Sequence, residues 1–331
     1  MNYKESEQIL EVIKKAKKIL LKVHRSPDPD SVCSCLSMYY FLEKIGKDVR
    51  IISSDPIQLN LSFLPNIKKI ETVDMEGFDY SNYDLFIVLD SSTFDQAIGI
   101  KSSIIPKISM VVIDHHKTNT LYGNINLVDY VGSTCEVLYN LFKDINFEVG
   151  GELAMYLLTG IISDTGSFRF DYTTPQSFTI AHDLIKKGAD RQKIIFNLFN
   201  SYEYDLMKFW GKLLDEMQFD QENHFVWTAI PYETFSQCGM PEEAKSLAAT
   251  LFFSSVKNTD FGIVLVEQSK GILNMSFRAR KNMNVSKIAK NLGGSGHPEA
   301  AGGYFEFENF NEAVEKVIKV ARKYAKKNKK I

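Results

Sequence analysis

Short apolar runs separated by amphipathic stretches dominate the first half of the chain. Residues 19–23, 48–53, 85–89 and 110–113 are short, mostly apolar runs, a pattern that predicts strands of a parallel sheet. Segments 32–44, 132–142, 152–162 and 175–187 carry apolar residues at helical spacing, with Gly46 and Gly188 placed as helix stops. Strands that alternate with helices predict an α/β fold built on a Rossmann-like parallel sheet. From Arg191 to Phe219 the spacing becomes long and helical, with apolar residues from Ile194 to Leu214. Beyond it, strands are expected at 224–230, 261–267 and 272–278, helices at 242–256 and 311–326, and a glycine cluster GGSGHPEAAGG between them. The expected organisation is a domain over 1–190, a helical linker over 191–219 and a smaller α+β domain over 220–331.

Charge narrows the range of partners. Lys and Arg number 39 against 41 Asp and Glu, a net charge of −2, so no global basic field marks a long nucleic-acid partner and any polyanion must be met by a local patch. The first 23 residues carry charges every few positions, and no later run is apolar for the ~20 residues of a membrane span. A soluble, cytoplasmic protein without membrane partners is expected. Four cysteines without a C-x-x-C pair fit a reducing compartment, and Cys33 and Cys35 read better as small buried helix residues than as metal ligands.

The candidate chemistry sits where strands end. Ligands of open parallel sheets bind at the carboxyl ends of the strands, and three of the four expected strands run into acidic or histidine-bearing loops. The first is followed by His24, Asp28 and Asp30, the third by Asp90, and the fourth by Asp114-His115-His116; Asp164 follows the helical segment 152–162. Asp90 alone, with Ser91 and Ser92 behind it, suits a helix cap as well as a ligand. Several carboxylates in one crevice repel one another and resist ionisation unless cations lie among them. Oxygen and imidazole donors together suit Mn²⁺, Mg²⁺, Fe²⁺ or Zn²⁺, and two ions with Asp90 as the bridge are the economical count. His115 and His116, adjacent in an extended loop, cannot easily bind one ion, so one should be a ligand and the other should face the substrate.

These residues resemble the DHH phosphoesterase superfamily, named for the triplet seen here as Asp114-His115-His116. Its first motif, H-x-x-P-D-G-D-A-x-G-S, is similar to His24-Arg25-Ser26-Pro27-Asp28-Pro29-Asp30-Ser31-Val32-Cys33-Ser34, with Pro29, Ser31 and Cys33 at the departures. Val88-Leu89-Asp90 resembles the second motif and the stretch from Thr159 through Asp164 to Phe168 the fourth. Residues 276–278 with Gly293-Gly294-Ser295-Gly296-His297 and Ala300-Ala301-Gly302 resemble the DHH-associated domain. The resemblance implies one ion on His24, Asp28 and Asp90, and a second on Asp30, Asp90, His115 and Asp164. It further implies that His116 meets the phosphate and that Asp114 orients a ligating imidazole.

The glycines, read as a cradle for an anion, let backbone N–H groups of Gly294, Ser295 and Gly296 approach a phosphate, with His297, Arg278 and Arg280 adding charged donors. The reaction expected is two-metal phosphoester hydrolysis, with Mn²⁺ the favoured ion. Among two-domain chains of this length the resemblance is nearest to nanoRNases, which cut short oligoribonucleotides to mononucleotides and often dephosphorylate adenosine 3′,5′-bisphosphate. Cyclic dinucleotide (cyclic di-AMP or pApA) phosphodiesterase and single-strand exonuclease are the alternatives within the superfamily, and a homodimer is compatible with the resemblance.

Overall fold

The computed structural model describes residues 3–100, 105–241, 244–280 and 283–328. The first positions of the helix expected at 242–256 lie outside the described residues. The chain divides into two compact units, Met1–Ser201 and Tyr202–Ile331.

The first unit is built on six parallel strands in the order β3-β2-β1-β4-β5-β6. These are β1 (Lys18–Val23), β2 (Asp48–Ser53), β3 (Ile70–Thr72), β4 (Leu85–Leu89), β5 (Ser109–Asp114) and β6 (Ile125–Val128). Its helices are α1 (Ser6–Lys15), α2 (Pro29–Lys44), α3 (Phe94–Ile98), α4 (Thr134–Asp144), α5 (Gly151–Asp164), α6 (Pro175–Lys186) and α7 (Arg191–Phe199). The unbroken apolar runs arise because the central strands are covered on both faces. Ile19, Leu21, Ile87, Val111 and Ile113 pack under α1, α2, α4 and α5, while Leu20, Phe86, Val88 and Val112 pack with Phe94 and Ile98 of α3 on the other face. Strand order reverses between β1 and β4, and a parallel sheet opens its ligand crevice at that switch point.

Edge strands β3 and β6 lack this signature. Ile70–Thr72 has no fully buried residue and Ile125–Val128 only Leu127, so neither shows the continuous apolar run by which the central strands declare themselves.

The second unit holds α8 (Tyr204–Asp215) and a mixed sheet in the order β11-β12-β10-β9-β8-β7. Its strands are β7 (Gln218–Asp220), β8 (Phe225–Ile230), β9 (Phe261–Ser269), β10 (Ile272–Ala279), β11 (Ser295–Gly296) and β12 (Ala300–Glu306). β8 and β9 run parallel and the other pairs antiparallel. One face packs on α11 (Ser286–Asn291) and α12 (Phe310–Asn328), and the other on α8, α9 (Tyr232–Gln237) and α10 (Ala244–Ala248), which runs on into a π-helical turn, Ala249–Phe253. The helical stretch 191–219 thus straddles the unit boundary. Ile194 and Leu198 of α7 join the first core, whereas Leu206, Phe209, Trp210 and Leu213 of α8 join the second. No helix among the described residues is long and apolar enough to cross a membrane.

Candidate metal centre

Each acidic loop is held by the element that follows it. Pro29 is the first residue of α2, where its missing N–H costs nothing, and Asp28 is the N-cap, its Oδ1 accepting from Ser31 N at 2.9 Å. Asp28 Oδ2 is left towards His24 Nε2, 3.3 Å away. Asp30, one step into the helix, is fully buried, and its oxygens accept from Thr134 N at 2.7 Å and Cys135 N at 3.1 Å at the start of α4. Gly160 of α5 makes room for it, since a Cβ there would run into Asp30 Oδ1 and Cys135 Sγ. Cys33, Cys35 and Cys135 are buried free thiols.

Asp90 caps no helix. The N-cap of α3 is Thr93; Asp90 instead takes a left-handed φ of 57°, with its amide on Ile113 O at 3.0 Å. This aims a buried carboxylate across the switch point. Its Oδ2 lies 3.5 Å from His24 Nε2, and its Oδ1 lies 3.5 Å from His115 Nε2 while accepting from Thr134 Oγ1 at 2.8 Å.

The two imidazoles are set alike. His24 Nδ1 bonds Arg25 O at 2.8 Å and His115 Nδ1 bonds Val131 O at 3.1 Å. A carbonyl only accepts, so each Nδ1 carries hydrogen, and in its neutral form each ring would turn an Nε2 lone pair inward. His24 Nε2 then faces Asp28 and Asp90, and His115 Nε2 faces Asp90 and Asp164 Oδ2, the latter at 3.2 Å. His115 Nε2 is buried without a hydrogen-bond partner among the described residues. Lone pairs facing carboxylates at these distances require a cation or a proton between them, so the residues present fit divalent ions of the oxygen- and nitrogen-binding kind. Three sets bring ligand atoms within 4.8 Å of one another: His24, Asp28 and Asp90; Asp30, His115 and Asp164; and Asp90, His115 and His116.

Electrostatics without ions show the same conflict. Burial, and then the neighbouring carboxylates, raise Asp30 and Asp164 well above the usual carboxylate range. Burial acts the same way on Asp90, but His24, His115 and His116 outweigh it and lower its carboxyl. For His24 burial works against the charged form, and Asp28 and Asp90 override it, raising the imidazole to about 11.

Asp114, at the end of β5, does not orient His115. Its Oδ1 accepts from His116 Nδ1 at 2.8 Å and its Oδ2 from Asn119 Nδ2 at 2.6 Å, so it holds the second imidazole of the triplet, and Val131 O holds the first. Burial opposes the charge on His116, and Asp114 outweighs it, raising the ring to about 9. Its side chain is 37% exposed against 10% for His115, so His116 is the imidazole that solvent reaches.

Thr134, Asn119, Val131 and Gly160 went unmarked as site residues in the sequence. None carries a metal-ligand side chain, and their roles depend on carbonyl, hydroxyl and packing contacts that only the fold brings together.

In the second unit, Arg278 Nε donates to Thr250 Oγ1 at 2.9 Å. Arg280 lies one residue past the end of β10 and donates to Val256 O at 2.5 Å, so both guanidinium groups reach the same helical segment and its end. Lys245, which sequence reasoning missed, sits beside Arg278, and burial followed by that charge pulls its ammonium down to about 8. The glycine cluster is part of a sheet: Ser295 and Gly296 pair with β12. Gly294 is required there by packing, because a Cβ would strike Gly302 O. His297 N is spent on Ala300 O at 2.8 Å, while its side chain is exposed.

Two family models match the chain, the DHH family N-terminal domain over residues 18–161 and the DHHA1 domain over residues 240–323. The chain is 27% identical over 307 residues to a bifunctional oligoribonuclease and PAP phosphatase NrnA of Thermus thermophilus, covering 92% of this chain and 89% of that protein. It is 26% identical to the protein of the same name in Bacillus subtilis, covering 86% and 88%. Among solved structures, an exopolyphosphatase-related protein from Bacteroides fragilis superposes with a TM-score of 0.87 at 23% identity, covering 97% of this chain and 96% of that one.

Proposed function

The chain belongs to the DHH superfamily of metal-dependent phosphoesterases, and on that premise we propose that it hydrolyses short oligoribonucleotides to mononucleotides and adenosine 3′,5′-bisphosphate to AMP. The observation that carries the chemistry is the pair of imidazoles, His24 and His115, each pinned by a carbonyl and each turning Nε2 towards one oxygen of Asp90. The substrate rests on relatives of that activity that match this chain over about nine-tenths of its length.

In this reading His24, Asp28 and Asp90 hold one ion, and Asp30, Asp90, His115 and Asp164 hold the second, with Mn²⁺ the favoured metal. When bound, the two cations supply Lewis acidity to a water nucleophile and to the phosphoryl oxygens. Asp90, buried between His24 Nε2 and His115 Nε2, would serve both ions. His116 gives its Nδ1 proton to the bond with Asp114, which keeps the ring charged near neutrality and leaves Nε2–H as a donor to a phosphate oxygen. Within the second unit, Arg278, Arg280, His297 and the backbone of 295–296 are the proposed phosphate contacts, with Lys245 adding a desolvated cation beside Arg278, whereas Gly294 N is already spent on Ala289 O at 2.8 Å.

A parallel assay tests this. Protein loaded with Mn²⁺ is given adenosine 3′,5′-bisphosphate, cyclic di-AMP, long single-stranded DNA and a ladder of 5′-phosphorylated oligoribonucleotides. With no net positive field to hold a long strand, rates should peak between di- and about pentanucleotides and fall steeply beyond. A 24-mer degraded as fast as a dinucleotide would replace this reading with a general exonuclease.

A further inference from the structure

We propose that the loop 166–173, next to the metal centre, is a stacking platform for a nucleobase, with Phe170 and Tyr172 as its rings. The inference rests on the reading of the centre as a nucleotide phosphoesterase site. Asp164 closes α5, and directly behind Thr165 the backbone makes three left-handed steps, Gly166 at φ 57°, Ser167 at 60° and Phe168 at 65°. Two of these are side-chain-bearing residues in a conformation that L-residues avoid, and such strain persists only where the surroundings fix it. Here Ser167 N bonds Ile162 O at 2.7 Å, Phe168 N bonds Thr165 Oγ1 at 3.0 Å, and Arg169 Nε bonds Gly166 O at 2.6 Å.

The result is to present aromatic surface. Phe170 is 42% exposed and Tyr172 48%, with ring centroids 5.7 Å apart and tilted by 51°. Tyr172 Oη donates to the backbone oxygen of Asp164 at 2.9 Å, which ties this ring to a residue of the metal centre. Phe170 in turn lies over the Cα of Gly166. Large apolar groups left half-exposed beside a reaction centre mark a recognition surface. In a nucleotide substrate the flat group nearest the phosphate is the base. The polar atoms of the loop named above are spent within it, so the loop offers ring faces rather than a hydrogen-bond code. Recognition of that kind accepts every base, which is what an enzyme acting on short oligonucleotides of any sequence requires.

Calorimetric titration of the intact Mn²⁺-loaded chain with AMP and with ribose 5-phosphate isolates the contribution of the base. The wild type should bind AMP about tenfold more tightly, within the range for loss of one base–aromatic stack. Phe170→Leu and Tyr172→Leu, which keep apolar volume but remove the ring, should each erase most of that preference, and Tyr172→Phe should keep it. Equal affinity for the two ligands in the wild type, or a preference that survives both leucine variants, overturns the proposal and leaves the rings as a protein-contact patch. A chain that prefers AMP yet cuts no oligonucleotide would instead refute the substrate reading while leaving the platform standing.

Discussion

Asp114 and His116 behave as one unit. The carboxylate accepts from His116 Nδ1 at 2.8 Å and is itself fixed by Asn119 at 2.6 Å, so the ring cannot turn without breaking a buried network. Replacing Asp114 by Asn should leave both ions in place, since neither proposed ligand set contains it. Turnover should fall by about 10- to 100-fold, as for other residues that orient a functional group from behind. The limb of the pH profile that reports loss of the His116 proton should also move to lower pH, because the Asp114 carboxylate that holds the proton on Nδ1 is gone. Metal analysis and a pH–rate profile check this together, and an unchanged profile would show that Asp114 acts elsewhere. Single residues were legible in the sequence only as donor types. The ligand chemistry of His24, Asp28, Asp30 and Asp90 could be read from their place behind strands and that of Asp164 from its place at a helix end, but which imidazole Asp114 serves depends on a turn at 115–119 that no periodicity encodes.

At the scale of elements, the centre depends on helices packed closely enough to bring their ends together. α2 delivers Asp28 and Asp30 at its start, α5 delivers Asp164 at its end, and α4 sets its first amides on Asp30. Gly160 permits the approach of α5, and its replacement by Ala puts a methyl group into Asp30 and Cys135. Overpacking of this kind costs about 1–3 kcal/mol. Gly160→Ala should therefore lower the unfolding free energy by that amount and also weaken metal binding, because the displaced group is the Asp30 carboxylate. Denaturant titration with and without Mn²⁺ measures both effects, and a variant as stable and as fully loaded as the wild type would refute this role. The central strands were readable from burial on both faces. β12 was not, because its sequence Ala-Ala-Gly-Gly-Tyr-Phe-Glu opens with residues of low strand propensity and reads as loop. α1 went unassigned although Ile9 and Ile13 stand one helical turn apart, since its dense charges mask a narrow apolar stripe.

For the whole molecule, the uncompensated centre should appear in the pH dependence of stability when metal is withheld. Asp30 and Asp164 are raised by burial and then by neighbouring carboxylates, Asp90 and Asp28 among them, and His24 and His116 are raised, against burial, by their carboxylate partners. A group whose folded value exceeds its unfolded one stabilises the fold below the unfolded value, and that stability is lost as pH rises through the folded value. His24 and His116 lose this stability from about pH 6.5 upwards, towards about 11 and about 9, and the raised Asp30 and Asp164 carboxyls act in the same direction, so the melting temperature of the metal-free chain should fall as pH rises from about 6.5 to 8. Asp90 and Asp114, which are lowered, matter only in more acid solution. Added Mn²⁺ replaces the missing protons, so the increment it brings in melting temperature should be larger at pH 8 than at pH 5. Calorimetric scans across this range decide it, and an increment that shrinks with pH would contradict the account.

Every residue proposed to hold a metal falls between positions 24 and 164, inside a unit with its own core, while the arginines and the glycine-rich strand belong to a second unit with another. Selection can therefore act on the two halves at different rates. Changes among residues 202–331 can alter the proposed phosphate contacts without touching a single proposed metal ligand, so the two roles are separable in inheritance.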